Sequence, residues 1–85
     1  MIAFSYTVTD DAGIHARPAG ALIKMVRDSD CDVAIKKDDK TADGKKIFTV
    51  MALGVKCGDT VTVEISGKDE QILAEKIQAF MQENL

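Results

Sequence analysis

The chain has 85 residues, of which 46% are hydrophobic and 29% charged, and its formal net charge is −3. This length and balance predict one domain with one core, residues 1–85, and exclude a disordered or fibrous chain. A nucleic-acid-binding domain is disfavoured, because the chain has three Phe, one Tyr, no Trp and no overall positive charge, whereas such domains use sheet aromatics and a basic field.

The first strand and the first helix are separated by a short turn. From Ile2 to Thr9, larger apolar residues alternate with small or polar ones, which is the period of a strand with one buried face. Turn-forming residues follow up to Gly13. Pro18 suits the first turn of a helix, where its missing N–H costs nothing, so we expect the helix to begin near Ala16. Its predicted core stripe is Ala19, Leu22, Ile23 and Val26.

A hairpin and a short helix are predicted next. Residues Cys31–Lys36 alternate as a second strand, and a polar turn leads to a short return strand over Thr41–Asp43, ended by Gly44. The apolar stretch Ile47–Leu53 suits a helix of about two turns, closed by a glycine cap at Gly54.

The last two elements are a strand and a helix. Thr60–Ile65 alternates and is rich in β-branched residues, which predicts a strand that Gly67 ends. Asp69 is the expected N-cap of a final helix that reaches about Asn84. Its predicted core positions are Leu73, Ile77 and Phe80. The resulting order, β-α-β-β-α-β-α, predicts an α+β sandwich of two layers, with one mixed or antiparallel sheet and the helices on a single face.

Location and cysteine chemistry follow from what the sequence does not contain. We find no secretory signal and no apolar run near the roughly 18 residues of a membrane helix. We therefore expect a cytoplasmic protein with no direct membrane insertion. Cys31 and Cys57 show no metal-ligand or redox spacing, so we expect both to be small buried hydrophobic residues.

The only histidine, His15, directly precedes the predicted start of the first helix. Unpaired N–H groups and a partial positive charge at a helix N-terminus favour an anion, and here the backbone of Ala16 and Arg17 would supply the donors. The Arg17 guanidinium matches phosphate oxygens. An imidazole that titrates near pH 6.5 when free is available as a nucleophile near neutral pH. A surface or N-capping histidine without chemistry is the alternative, but the surrounding motif disfavours it.

The motif Gly13-Ile14-His15-Ala16-Arg17-Pro18-Ala19 resembles the active-site signature of HPr, the histidine-containing phosphocarrier family of the bacterial phosphotransferase system. The stretch Lys46–Gly54 also resembles the second helix of this family. The resemblance covers essentially the whole chain, and it implies an open-faced sandwich of a four-stranded antiparallel sheet with three helices on one face.

The resemblance also implies a function in sugar transport. His15 would accept a phosphoryl group on Nδ1 from phospho-Enzyme I and pass it to a sugar-specific IIA domain, with Arg17 assisting at the phosphate. The protein would then be a carrier, not an enzyme, with no metal or cofactor. The alternative is a regulatory module of the same fold, whose phosphorylation state controls binding to target proteins. A monomer is the simplest expectation.

Two positions depart from the pattern of the family. Some members carry a regulatory serine where this chain has Lys46, so phosphorylation by the dedicated serine kinase is not expected at that position. Thr49 is a nearby hydroxyl but an improbable substitute. Related proteins often have a polar side chain at the position of Ala12, and its loss should cost on the order of 1 kcal/mol, modulating activity without abolishing it.

A docking surface is predicted beside His15. Helical spacing places Arg17, Gly20, Lys24 and Arg27 on one face, and Lys45 and Lys46 precede the second helix, from which Ile47, Phe48 and Met51 would project as an apolar patch. An apolar centre edged by positive charge suits acidic partners. Two simpler interpretations remain open: the basic face is merely solvated, and the three apolar residues pack into the core.

Overall fold

The computed structural model describes residues 1–85 and contains one sheet and three helices. Its four strands have the order β1-β4-β2-β3, and every neighbouring pair is antiparallel. The elements in chain order are β1 (Ile2–Thr7), α1 (Ala16–Arg27), β2 (Asp32–Lys37), β3 (Lys40–Asp43), α2 (Ile47–Met51), β4 (Thr60–Ser66) and α3 (Glu70–Asn84). The predicted element order and the open-faced antiparallel sandwich are therefore confirmed.

One face of the sheet carries the core. The register aligns Val63 of β4 with Phe4 on one side and Ile35 on the other, so that their side chains share a face. The core stripe predicted for α1 is buried, together with Pro18. In α3, Leu73 and Ile77 are buried as predicted. Phe80 is only half-buried, and Met81 is the buried residue of that turn. None of the three helices has the length and apolar character that crossing a membrane requires.

The opposite face of the sheet has no helix on it and is lined by hydroxyl and charged side chains. The hydroxyls of Thr7 and Thr60 lie 2.8 Å apart across β1 and β4. Lys36 and Glu64 form an ion pair of 3.1 Å across β2 and β4. These cross-strand polar pairs suit a face that is exposed to water, while the other face packs against the helices.

Three local predictions need correction. The first strand ends at Thr7 instead of Thr9 because β4, its partner, begins only at Thr60. Val8 remains buried but bonds the loop before β4 instead, and the amide of Thr9 donates to the backbone oxygen of Leu85 at 2.6 Å. The second strand is shifted by one residue, and the return strand includes Lys40.

The other corrections concern α2, α3 and the cysteines. The helix α2 has five residues instead of about seven, although Gly54 does adopt the left-handed φ of +66° expected of a glycine cap. Asp69 precedes α3 but makes no side-chain cap, because its φ of +61° is left-handed whereas capping requires an extended backbone. Cys31 is buried as expected, but Cys57 is exposed because it lies in the loop between α2 and β4.

Candidate functional site

His15 is the N-cap residue of α1, and its extended backbone, with φ −118° and ψ 176°, places it just outside the helix. Its carbonyl oxygen accepts the first helical hydrogen bond, from the amide of Ala19 at 3.0 Å. The side chain is half-buried and makes no capping bond. The imidazole is therefore positioned by the backbone and is not occupied by a structural hydrogen bond to the helix.

The first turn of α1 offers two backbone donors directly after His15. Pro18 has no N–H, and the Ala19 amide is already bonded to His15. The amides of Ala16 and Arg17 make no hydrogen bond within the protein. A small anion at this end of the helix can accept both N–H groups, with the helix dipole favouring its charge.

The segment before His15 is held against the loop that follows α2. The amide of Ile14 donates to the carbonyl oxygen of Val55 at 3.1 Å, and Ile14 is buried. Gly13 has a φ of +66°, and a Cβ placed there would lie 2.3 Å from the same carbonyl oxygen. A glycine is therefore required at this position both by the backbone conformation and by the close approach of Val55.

The supporting loop is braced by a carboxylate. The Asp59 carboxylate accepts a hydrogen bond from the amide of Lys56 at 2.8 Å and forms an ion pair with the Lys37 ammonium at 3.0 Å. These two donors, in that order, hold the pKa of Asp59 below its ordinary value of 3.8. Lys37 also donates to the carbonyl oxygen of Gly54 at 3.1 Å, which ties the loop to the sheet.

A cavity of about 290 Å³ lies beside His15. Arg17 lines this cavity together with Pro18 and Phe80, so the two residues of the predicted pair, His15 and Arg17, border one space. Two carboxylates, Asp10 and Glu83, also line it. The sequence analysis did not identify these carboxylates, because one lies in a turn and the other in α3, and only the tertiary fold brings them to the site.

The residues predicted for docking divide into two groups. Gly20, Lys24 and Arg27 of α1 line a groove of about 350 Å³ together with Ile47 of α2. Arg27 Nε donates to the carbonyl oxygen of Lys45 at 2.8 Å, which fastens this basic side chain to the start of α2. The groove therefore combines apolar residues with two basic ones, and one acidic residue, Asp28, also lines it.

The apolar residues of α2 differ in exposure. The side chain of Phe48 projects into solvent, since the residue is 85% exposed. Ile47 and Met51 are half-buried and pack against the core, which Val50 and Leu53 enter fully. The core-packing interpretation therefore holds in part for the side chains of Ile47 and Met51, and it does not hold for the exposed side chain of Phe48.

The position of Lys46 is the N-cap of α2, and its side chain makes no cap. The Thr49 hydroxyl lies 2.7 Å from the carbonyl oxygen of Lys46 and 3.0 Å from that of Asp43. Because a hydroxyl has one proton to donate, Thr49 shares it between these two acceptors.

Comparison with known proteins supports one family. A family model described as the phosphotransferase system HPr component phosphorylation site matches residues 2–83. The phosphocarrier protein HPr of Mycoplasma capricolum is 35% identical over 82 residues, which cover 96% of this chain and 89% of that protein. The multiphosphoryl transfer protein of Xanthomonas campestris pv. campestris is 31% identical over 78 residues, or 92% of this chain, and the match spans only 9% of that longer protein.

The fold has the same relatives. The crystal structure of Crh, the Bacillus subtilis catabolite repression containing protein, is 34% identical and superimposes with a TM-score of 0.78, covering 100% of this chain and 98% of that one. Because a family model over residues 2–83 and a relative 35% identical over nearly the whole chain agree, this chain belongs to the HPr family, the phosphocarrier proteins of the phosphotransferase system.

Proposed function

We propose that His15 is the residue that carries the phosphoryl group, receiving it from phospho-Enzyme I and passing it to a IIA domain in sugar transport. The observation that carries this proposal is the position of the half-buried His15 as N-cap residue, directly before the unbonded amides of Ala16 and Arg17. Membership of the family supports the same assignment.

In this proposal the chemistry requires positioning more than additional reactive groups. The unprotonated Nδ1 of His15 attacks phosphorus as the bond to Enzyme I breaks, and that bonding electron pair stays on Enzyme I. The amides of Ala16 and Arg17 and the Arg17 guanidinium then stabilise the phosphoryl oxygens without bonding covalently to them. Reversal of the same step onto an acceptor histidine empties the carrier, so no metal or cofactor is required.

We propose that the partners dock on the groove between α1 and α2 and on the exposed ring of Phe48. Gly20 and Ile47 form the floor, Lys24 and Arg27 supply positive charge, and Met51 extends the apolar surface. Reversing the charge of Lys24 should slow transfer at low salt and have less effect at high salt, because exposed charges are screened. An unchanged rate and an unchanged salt dependence would identify this face as merely solvated.

The remaining parts of the proposal concern the state of the protein. We propose a single domain over residues 1–85 that works as a cytoplasmic monomer and acts as a carrier, not an enzyme. Phosphorylation by the serine kinase is not expected, since Lys46 has no hydroxyl and the Thr49 hydroxyl is bonded to backbone carbonyls. Light scattering of the purified protein tests the monomer.

Incubation with Enzyme I and labelled phosphoenolpyruvate tests the proposal directly. We expect acid-labile, alkali-stable label on the protein, its onward transfer to a IIA domain, and no labelling of a folded His15→Ala variant. Label that survives in this variant would refute the assignment of His15.

A regulatory module is the second candidate, and the similarity to the catabolite repression protein Crh favours it. That relative is described as an intertwined dimer formed by a swapped domain. If the protein is regulatory, His15 should be labelled but the label should not pass to a sugar-linked acceptor. Binding of target proteins should then differ between the phosphorylated and unphosphorylated states.

A further inference from the structure

The cavity beside His15 has more negative than positive side chains. One basic residue, Arg17, lines it together with two acidic residues, Asp10 and Glu83. A phosphoryl group on His15 would add a charge of about −2 near neutral pH. The cavity is therefore not a simple cationic binding site, and its carboxylates oppose the cargo that the helix amides favour.

Asp10 is the more firmly held of the two carboxylates. Its amide donates to the backbone oxygen of Leu85 at 2.8 Å, and its carbonyl oxygen accepts from the amide of Gly13 at 2.9 Å. Its side-chain Oδ1 accepts a hydrogen bond from the amide of Ala12 at 2.8 Å. The two backbone bonds hold the turn that leads from β1 towards His15, and the third bond, to Oδ1, holds the carboxylate itself.

The residue at position 12 does not offset the negative charge of Asp10. Ala12 has no polar side chain with which to hold a phosphate, and its amide is already bonded to Asp10. The turn thus presents a fixed negative charge to the cavity where a hydrogen-bond donor would stabilise the cargo.

We infer that Asp10 sets the transfer potential of the phosphoryl group, an inference that rests on the proposed role of His15. The Asp10 charge raises the free energy of the phosphorylated state relative to the empty state, and so favours release to the next acceptor. It acts through the field on the phosphoryl oxygens and forms no bond to phosphorus. Asp10 is thus a residue that tunes the proposed reaction.

The decisive variant is Asp10→Asn, which removes the charge and keeps an amide oxygen to accept the Ala12 N–H. Asp11→Asn is the matched control, because Asp11 is the exposed neighbour and does not line the cavity. Asp10→Glu perturbs the same turn but keeps the charge. If the Asn variant does not fold, Asp10→Ser supplies a smaller neutral acceptor.

The measurement is a phosphoryl exchange equilibrium. Phosphorylated, ¹⁵N-labelled wild type is mixed with an equal amount of unlabelled variant and a trace of Enzyme I, and mass spectrometry under alkaline conditions gives the partition. One P–N bond forms for each that breaks, so no co-reactant is consumed. We expect the group to favour Asp10→Asn by roughly threefold to tenfold at low salt, the scale of one nearby unit charge acting on a dianion.

The controls separate charge from structure. The preference should fall towards unity in about 1 M salt, where the Debye length is about 3 Å. Asp11→Asn and Asp10→Glu should partition within about twofold of the wild type, because an exposed charge outside the cavity is screened by solvent and the second variant retains its charge. An equal shift in Asp10→Glu would show that the turn geometry matters and the charge does not, which would overturn the inference.

A second measurement does not need Enzyme I. Phosphoramidate phosphorylates histidine chemically, and ³¹P NMR then follows the second ionisation of the bound phosphoryl group. Removal of the Asp10 charge should lower this midpoint by about half a pH unit. Because the other charged residues that line the cavity, Arg17 and Glu83, are present in both proteins, the difference reports the charge of Asp10. An equal partition with an unchanged midpoint would overturn the inference alone. Failure of the wild type to be phosphorylated at His15 would overturn the proposed function as well.

Discussion

Phe48 allows the docking proposal to be separated from folding stability. A fully buried aromatic side chain covers about 150–250 Å², and Phe48 is 85% exposed. Folding therefore removes only about 30 Å² of this side chain from water, which at about 25 cal/mol per Å² is worth roughly 0.7 kcal/mol. Phe48→Ala should lower the free energy of unfolding by no more than about this amount.

A partner that covers the ring would gain much more. The exposed part of the ring is about 170 Å², which corresponds to an upper bound of about 4 kcal/mol for its burial. Association costs reduce this figure, and interface aromatic residues typically lose about 2 kcal/mol or more when truncated. We expect Phe48→Ala to weaken productive binding by about 30-fold, the equivalent of about 2 kcal/mol.

The assay is the rate of phosphoryl transfer from Enzyme I as a function of carrier concentration, with urea unfolding of the same samples. The expected result is a raised KM with near-normal stability. Ile72→Ala is the matched control, because Ile72 is 54% exposed but lies on α3, away from the α1–α2 groove. An unchanged KM for Phe48→Ala, or an equal effect of Ile72→Ala, would refute the assignment of Phe48 to the docking surface.

Three further predictions concern the backbone and the loop that support the site. Gly13→Ala should destabilise the fold by about 3 kcal/mol in urea unfolding, because it combines a left-handed backbone with a Cβ 2.3 Å from the Val55 carbonyl oxygen; an unchanged stability would contradict the required glycine. Gly20→Ala should raise the free energy of unfolding by about 0.5–1 kcal/mol, since it adds a helix former whose Cβ meets only the Ile47 methyl group at 4.0 Å; a loss of stability would refute this. The pKa of Asp59 is lowered in the folded state, so its stabilising contribution is complete above the unfolded-state value of 3.8 and is lost as the pH falls through the folded-state pKa. Between pH 7 and pH 3, the free energy of unfolding should therefore fall less in Asp59→Asn than in the wild type. Equal losses in the two proteins would exclude this role.

Local periodicity was sufficient to predict most of the elements. The alternation of Thr60–Ile65 and the apolar stripe of α1 depend on neighbouring residues alone, and both were confirmed. The errors occur where a distant segment decides the outcome. Thr9 leaves the strand because its amide bonds the backbone oxygen of Leu85, 76 residues later in the chain, and no local pattern reports such a pairing.

The candidate site shows the same limit. His15 and Arg17 are close in sequence, so their shared cavity could be anticipated from the start of one helix. Glu83 reaches that cavity only because α3 packs on β1 and brings its last turn to the end of the strand. The sequence predicted that Cys57 is a small buried residue. This prediction is wrong, because the exposure of Cys57 depends on the course of a loop.

If His15 carries the phosphoryl group as proposed, the backbone bonding at the start of α1 allows amide exchange to report whether the protein is phosphorylated. Only the Ala16 and Arg17 amides in its first turn are without a protein acceptor, whereas the Ala19 amide is bonded to His15. Deuterium from solvent should therefore replace the first two protons readily in the empty carrier and much more slowly once a phosphoryl group accepts them. The fraction of loaded molecules can thus be read from two peptide N–H signals, with Ala19 as the internal standard and no label on the phosphate.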